Sequence, residues 1–342
     1  MYSDSSAALR FGSYPTPIAR LAGADFNGEL WLKDDGQTAQ LYGGNKVRKL
    51  ERLLHVARGL GARRVLTVGA AGSHHVLATC LFAQRVGLST LAVLTAQPWT
   101  EHAEDTLRAG LHAGLSAVPA RSYADVLLQL RRQRQKGDFV IGPGGFGLEG
   151  TWAYSLAIDE LAPQLEREGA APLDGIVVAA GSGSTAAGLL AGVLRTGVAE
   201  RVIAVQVAPN PGLRLAILGQ ALYALSRRGH SVPWREAVRR LCIDQRFLGN
   251  GYGHASAAGN AATEVARSFG LEVEPTYTAK AFASALDWVR QMEQPAEPCK
   301  LRLRQRHSYL YWHTLSSVPL VALLQGASKT LPNELARLLR RP

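Results

Sequence analysis

The sequence predicts an α/β protein with parallel strands that are covered by helices on both faces. Short apolar segments alternate with segments of helical period along most of the 342 residues. The apolar segments are continuously hydrophobic, as in strands that are buried on both sides. Glycine-rich turns follow several of them, which is typical of the ligand-binding edge of such a sheet. At roughly 150 residues per domain, the length favours two domains or lobes.

Each predicted element has a local justification. Apolar segments with β-branched residues predict strands at 65–68, 90–94, 139–141, 175–178 and 201–207. A further strand, 309–314, ends in hydroxyl side chains. A helix is predicted after residue 45, because five apolar residues between 47 and 57 fall on one helical stripe. Gly59 and Gly61 end that helix.

Composition limits the classes of function. The formal net charge of +11 comes from 38 basic and 27 acidic residues, and only seven of the basic residues are lysines. Basic segments such as 131–136 lack interleaved aromatic residues, so we expect solvated arginines and no nucleic-acid partner. No stretch of about 18 apolar residues predicts a membrane span. Three widely spaced cysteines without a metal-binding pattern predict a reduced, cytoplasmic protein with no bound metal.

The segment Gly43-Gly44-Asn45-Lys46 precedes the first predicted helix. Asn45 is a good N-cap residue, which would place Lys46 in the first helical turn. The positive end of the helix dipole disfavours an ammonium there, and an unprotonated amine can form a Schiff base. On spacing alone, an ordinary solvated lysine is the commoner interpretation.

A second candidate is the loop Gly181-Ser182-Gly183-Ser184-Thr185, which follows the strand at 175–178. Backbone N–H groups, hydroxyls and a helix N-terminus can together hold a phosphate. The loop lacks the Lys-Ser/Thr ending of a P-loop, and it matches a dinucleotide fingerprint poorly. A cofactor monophosphate fits better, although a plain tight turn is an equal interpretation of the loop alone.

A third candidate is Ser73-His74-His75, between the strand at 65–68 and an apolar helix. A hydroxyl, imidazoles and free N–H groups at a helix start suit a carboxylate. Adjacent histidines cannot both face one metal from a helix, and the alternative is a serine cap with exposed histidines. Tyr252 and Tyr277 lie beside turn residues, where aromatic residues usually serve packing.

Together these segments resemble pyridoxal-phosphate enzymes of fold type II, and most of all the D-cysteine desulfhydrase and 1-aminocyclopropane-1-carboxylate deaminase family. The resemblance covers nearly the whole chain, from Pro15 to Thr314. Its most specific motifs are Gly-Gly-Asn-Lys-x-Arg-Lys-Leu-Glu, starting at Gly43, and Pro-x-Tyr-x-x-Lys, starting at Pro275.

The resemblance implies roles for the candidate residues. Lys46 would bind pyridoxal 5'-phosphate as a Schiff base and then remove the Cα proton, while Asn45 and His74 would lie beside the cofactor. The cofactor phosphate would be held by the loop Gly181, Ser182, Gly183, Ser184 and Thr185. Thr314 matches a hydroxyl that faces the pyridine nitrogen. The remaining matches lie near the substrate: Ser73, His74, His75, Tyr252 and Tyr277.

One position separates the two branches of the family. Deaminases have glutamate directly after the second tyrosine, whereas this chain has Thr278, as in desulfhydrase-like members. The resemblance therefore favours a lyase that catalyses α,β-elimination on a small amino acid and gives pyruvate, ammonia and sulfide from D-cysteine. The alternatives are a 1-aminocyclopropane-1-carboxylate deaminase, another β-eliminating or β-replacing enzyme, and a catalytically altered cofactor-binding relative.

Two departures keep the last alternative open. The family has asparagine where this chain has His74, and Thr-Gly-Gly where this chain has Thr314-Leu315-Ser316-Ser317. The resemblance further implies two α/β lobes with the cofactor between them. Residues 1–51 and 165–342 would form the larger, cofactor-binding domain, and residues 52–164 the smaller. Family members are commonly homodimers.

Overall fold

The structure, a computed structural model, describes residues 9–23, 25–290 and 307–340. Its strands are β1 (Ile18–Leu21), β2 (Gly28–Asp34), β3 (Arg64–Ala70), β4 (Ser89–Thr95), β5 (Gln97–Pro98), β6 (Ser116–Ala120), β7 (Asp138–Ile141), β8 (Gly175–Ala180), β9 (Val202–Gln206), β10 (Leu241–Asp244), β11 (His307–His313) and β12 (Leu339–Arg340). Its helices are α1 (Lys46–Gly59), α2 (His74–Arg85), α3 (Glu101–His112), α4 (Tyr123–Gln133), α5 (Leu148–Arg167), α6 (Ser184–Thr196), α7 (Leu213–Arg227), α8 (Trp234–Arg239), α9 (Ala257–Ser268), α10 (Thr278–Arg290), α11 (Leu320–Leu323) and α12 (Asn333–Ala336).

The larger sheet has six strands in the order β1-β2-β11-β8-β9-β10. Its pairs are parallel except for the edge pair of β1 and β2. Successive residues of β8 point to opposite faces: Ile176 packs in a core with α5, α6 and α7, and Val177 packs in a core with α9 and α10. Burial on both faces explains why β8 is continuously apolar in sequence.

The smaller sheet has four parallel strands in the order β6-β4-β3-β7, and α1 and α2 pack in one core against it. Leu66 and Val93 face the opposite core, which includes Val126 of α4. The edge strand β6 contains Pro119, which has no N–H to donate and is therefore tolerated at an edge. The short strands β12 and β5 form a separate parallel pair.

The six strands predicted from apolar segments are confirmed as β3, β4, β7, β8, β9 and β11, each within a few residues of its predicted ends. The predicted helix is confirmed as α1. The boundaries proposed between domains fall inside α1 and α5, and Ile158 of α5 packs in the core of the larger sheet. The assignment of residues 52–164 to the smaller domain stays a prediction.

Cys80 is a buried free thiol in α2, as expected of a reduced cysteine. Cys242 in β10 is disulfide-bonded, so the expectation of reduced thiols is wrong for this residue. Within the described ranges, no helix is both long and apolar enough to cross a membrane.

Candidate active site

A cavity of about 940 Å³ lies where segments that follow strands of both sheets meet. This is the carboxyl edge of the parallel strands, where α/β proteins bind their ligands. Every site residue predicted from the sequence lines it: Asn45, Lys46, Ser73, His74, His75, Gly181, Ser182, Gly183, Ser184, Thr185, Tyr252, Tyr277 and Thr314. The fold thus brings together residues that are up to 269 positions apart in the chain, from Asn45 to Thr314.

Lys46 is the first residue of α1, as predicted, and its amine lies in the cavity wall. Burial lowers the pKa of Lys46 to about 8, although the charge of Glu274 opposes this shift. A tenth or so of such amines are unprotonated at pH 7, which is far more than for an exposed lysine. Lys46 is therefore suited to attack an aldehyde.

Asn45 occupies the N-cap position of α1, but its side chain makes no capping hydrogen bond, so this part of the prediction is wrong. Its Oδ1 accepts from Lys46 Nζ at 2.5 Å, and its Nδ2 donates to Thr185 Oγ1 at 2.9 Å. The amide is engaged across the cavity wall and cannot also cap the helix. It links the amine on α1 to the first turn of α6.

The two glycines before Asn45 are required by close packing. Gly44 has a φ of +88°, and a Cβ there would lie 2.7 Å from the carbonyl oxygen of Thr314. A Cβ on Gly43 would lie 1.8 Å from the carbonyl oxygen of Gly36. Larger residues would push the start of α1 away from the end of β11.

The predicted phosphate loop connects β8 to α6. Gly183 has a φ of +83° and precedes α6 without a side-chain cap, so the first N–H groups of this helix have no intrahelical partner. A Cβ on Gly181 would lie 3.0 Å from Tyr277 Cε1. The Ser184 hydroxyl donates to Gly145 O at 3.2 Å, whereas the Thr185 hydroxyl accepts from Asn45 and keeps its own proton to donate. These uncapped N–H groups and hydroxyls can hold an anionic group in the cavity.

Ser73 is the N-cap of α2, and its hydroxyl accepts from Val76 N at 3.4 Å. The serine cap of the predicted alternative is thus confirmed, and Ser73 also lines the cavity, but the exposed histidines of that alternative are wrong, because His74 is half-buried and His75 is buried. His75 is buried, and its Nε2 donates to the Thr67 hydroxyl at 3.0 Å, since that hydroxyl itself donates to Ile141 O. A contact of His75 with substrate stays a prediction.

His74 already has a partner on each ring nitrogen. Its Nδ1 is hydrogen-bonded to the Tyr42 hydroxyl, and its Nε2 lies 2.8 Å from His102 Nε2. Burial, together with the charges of His102 and Lys46, lowers the pKa of His74 to about 3. His74 is therefore neutral at physiological pH and is held in a fixed orientation beside Lys46.

The two predicted tyrosines meet edge to face, with 5.6 Å between ring centroids. Burial raises the pKa of Tyr252 to about 12, so its phenol is neutral and can donate a hydrogen bond. Tyr277 precedes α10, and its backbone N–H donates to the Glu274 carboxylate at 2.6 Å. Lys280 donates to the carbonyl oxygens of Leu248 and Gly251, which fixes the loop that carries Tyr252.

The residues after β11 that differ from the family pattern contact other parts of the structure. Leu315 and Ser316 line the cavity beside Thr314. The Ser316 hydroxyl accepts from Gly43 N at 2.8 Å, and Ser317 donates to Gly36 O at 2.9 Å. The serine hydroxyls therefore hold the turn that precedes Lys46.

Sequence reasoning missed several residues of the cavity wall. Tyr42, Lys49, Gln97 and Glu274 line it, and His102 contacts it through His74. Glu274 is the residue with a local signal, because an acidic side chain just before a helix can accept from its first N–H groups, as Glu274 does from Tyr277 and Thr278. Lys49 lies inside the motif that starts at Gly43, which assigned it no role, and nothing in the local sequence of Tyr42, Gln97 or His102 indicates the cavity.

Sequence comparisons agree with the family that the sequence motifs resemble. The profile of the family described as "Pyridoxal-phosphate dependent enzyme" matches residues 9–298. A D-cysteine desulfhydrase of Salmonella typhimurium is 31% identical over 304 residues, which span 83% of this chain and 88% of that protein. A candidate 1-aminocyclopropane-1-carboxylate deaminase of Pyrococcus horikoshii is 30% identical over 291 residues, which span 82% of this chain and 84% of that protein.

Solved structures agree as well. A protein described as an ACC deaminase homologue superposes with a TM-score of 0.75 at 27% identity, covering 97% of this chain and 96% of that chain. An L-serine ammonia-lyase of Rhizomucor miehei has a TM-score of 0.61 at 15% identity, covering 91% of this chain and 96% of that chain, which is a likeness of fold alone. The predicted fold class is confirmed.

Proposed function

The chain belongs to the family of pyridoxal-phosphate-dependent enzymes, and from this membership we propose that it is a lyase that catalyses α,β-elimination on a small amino acid. Its cofactor is pyridoxal 5'-phosphate, and its substrate is an amino acid. With D-cysteine and water, the products would be pyruvate, ammonia and hydrogen sulfide. The observation that carries the proposal is the Lys46 amine, which lines the same cavity as the uncapped start of α6.

The residues of the cavity fit the cofactor. Lys46 would bind its aldehyde, the N–H groups and hydroxyls from Gly181 to Thr185 would hold its phosphate, and Thr314 would face its pyridine nitrogen. When bound, the cofactor supplies an electron sink for the bond broken at Cα. Asn45 orients the Lys46 amine through their hydrogen bond.

The chain's own groups would handle the proton and the substrate. The Lys46 amine, with a pKa of about 8, accepts the Cα proton near neutral pH. The Ser73 hydroxyl and the N–H groups at the start of α2 would bind the substrate carboxylate. The neutral phenols of Tyr252 and Tyr277 would lie beside the leaving group.

The choice of elimination over deamination of 1-aminocyclopropane-1-carboxylate, which requires opening of the cyclopropane ring, depends on Thr278. This residue follows Tyr277 and supplies no carboxylate, and its hydroxyl accepts from Glu274 N at 2.7 Å. It is 2% exposed and held within its own turn. The rival activity, 1-aminocyclopropane-1-carboxylate deamination, is favoured by the names of the Pyrococcus relative and the solved homologue.

A spectral titration tests the proposal. The purified protein should show the visible absorbance of a lysine-bound cofactor, and Lys46→Ala should abolish it, whereas exposed Lys136→Ala should not. D-cysteine should give pyruvate and sulfide. Formation of 2-oxobutyrate from 1-aminocyclopropane-1-carboxylate would instead support the deaminase. A normal cofactor spectrum without turnover of any D- or L-amino acid would support the alternative that the protein is a catalytically altered, cofactor-binding relative.

We also propose that the protein is a homodimer, as the family resemblance implies, and cytoplasmic, which the free thiol of Cys80 supports and the disulfide of Cys242 does not. Sedimentation equilibrium of the holoenzyme should give twice the chain mass of 36.7 kDa. A mass of one chain at micromolar concentration would contradict the dimer without affecting the proposed reaction.

A further inference from the structure

A chain of three hydrogen-bonded side chains leads from the cavity through its wall. Tyr42 and His74 line the cavity, whereas His102, the second residue of α3, lies behind His74 and is half-buried. The rings of His74 and His102 have centroids 4.9 Å apart. Three separate segments of the chain therefore converge on one continuous path.

The contact between the histidines requires a shared proton. With 2.8 Å between the two Nε2 atoms, one imidazole must donate and the other accept. A metal ion does not fit between them, since metal–nitrogen bonds of about 2.0 Å would separate the nitrogens further. Within the described residues, no group of three or more potential metal ligands is present.

We propose that Tyr42, His74 and His102 form a proton relay between the cavity and solvent. This proposal rests on the proposed function, because elimination requires a proton to leave Cα and a proton to reach the products. None of the sequence motifs predicts the relay, since His74 replaces the asparagine of the family.

The relay balances proton for proton. When Tyr42 accepts a proton from the cavity, its own proton passes to His74 Nδ1, the proton on His74 Nε2 passes to His102 Nε2, and the proton on His102 Nδ1 passes to water. Each side chain ends neutral, with both imidazoles in their other tautomers. Uptake of a proton later in the turnover runs the same hops backwards and restores the starting state.

Variants of His102 test the relay, because this residue does not line the cavity. We expect His102→Ala to lower kcat by about 100-fold, the lower end of general acid–base effects, with KM nearly unchanged. Added imidazole should restore much of the rate. His112→Ala, on an exposed position of the same helix, is the matched control. A wild-type kcat, or a loss that imidazole does not restore, would overturn the relay.

A readout that does not depend on turnover separates the relay from the proposed function. In ¹⁵N-histidine NMR spectra of the holoenzyme, one slowly exchanging imidazole N–H should be lost in His102→Ala and shifted in Tyr42→Phe. Absence of this signal in the wild type would overturn the relay. If the wild-type protein catalyses elimination on no amino acid, the proposed function is wrong. These spectra then decide by themselves whether the relay exists.

Discussion

Lys46 is set apart from the other lysines by its surroundings. Lys33 is buried against Glu160 at 2.6 Å, Lys280 donates to two carbonyl oxygens, and Lys49 donates to Gly144 O at 3.0 Å. Lys46 lines the cavity, as Lys49 does, but Lys46 is the first residue of α1 and its partner is the side-chain amide of Asn45. Burial, rather than the helix dipole expected from the sequence, is the main cause of the lowered pKa of Lys46.

The lowered pKa of Lys46 predicts how cofactor attachment depends on pH. Only the unprotonated amine attacks an aldehyde, so the rate should rise about tenfold from pH 7 to pH 9 and level off above the pKa of about 8. An unperturbed lysine would give a rise of about a hundredfold over the same range without a plateau. The measurement is stopped-flow absorbance after mixing cofactor-free protein with pyridoxal phosphate, and Lys46→Ala is the blank.

Helix α1 is anchored by a buried ionic network two residues after Lys46. Asp35 is fully buried and accepts from Arg48 at 2.8 Å and from Trp312 Nε1 at 2.8 Å. Burial by itself would raise the pKa of Asp35, but Arg48 outweighs it and the pKa is lowered. Arg48 also donates to Glu160 of α5 at 2.6 Å. The network joins α1 to the larger sheet and so fixes the lysine.

Arg48→Met should therefore destabilise the fold strongly. It leaves Asp35 buried without its charge partner, and removal of one partner from a buried pair costs about 3–5 kcal/mol. Urea denaturation followed by circular dichroism measures the loss. Arg267→Met is the control, because its pair with Glu264 has side chains 67% and 70% exposed and should contribute at most about 0.5 kcal/mol. Equal losses in the two variants would contradict this account of α1.

Lys280 anchors the loop before α9, as Arg48 anchors α1. It is fully buried and donates to Leu248 O at 2.9 Å and to Gly251 O at 2.7 Å. Lys280→Met removes both bonds, so Tyr252 should lose its fixed position and the substrate KM should rise about tenfold, the equivalent of one such bond. Steady-state kinetics measures this, with exposed Lys136→Met as control. An unchanged KM would show that the loop holds Tyr252 without this lysine.

The elements that sequence could predict are those with a local apolar signal. β8 is apolar throughout, and α6 consists of small and apolar residues from Ala186 to Leu194, because both are covered, so their positions are evident from composition alone. β2 was missed because it carries Lys33, whose partner Gln164 lies 131 residues away. His102 was missed for the same reason, since His74 is its only link to the cavity that the described contacts show. Long-range partners leave no trace in local periodicity.

At the scale of the whole molecule, only a small part of the net charge of +11 contributes to the structure of the site. Many arginines form exposed or half-exposed ion pairs, such as Arg239 with Glu236 at 2.8 Å and Arg228 with Glu149 at 2.6 Å. Surface pairs of this kind contribute little to stability. The groups that matter for the site are few and buried, and they come from both sheets.

Because the cavity is built from both sheets, cofactor binding should stabilise the whole molecule. Lys46 begins a helix that packs on the smaller sheet, and Ser73 follows a strand of that sheet. The loop at Gly183 follows a strand of the larger sheet. A ligand that binds only the folded state adds about 2.7 kcal/mol at a concentration of a hundred times its Kd. Calorimetry of cofactor-free protein should thus show a single transition that moves to higher temperature with pyridoxal phosphate. Pyridoxal, which lacks the phosphate, should produce a much smaller shift at equal concentration, and so should pyridoxal phosphate with Lys46→Ala. If two transitions appear and only one of them moves, the cofactor contacts one sheet alone and the site is not the shared cavity.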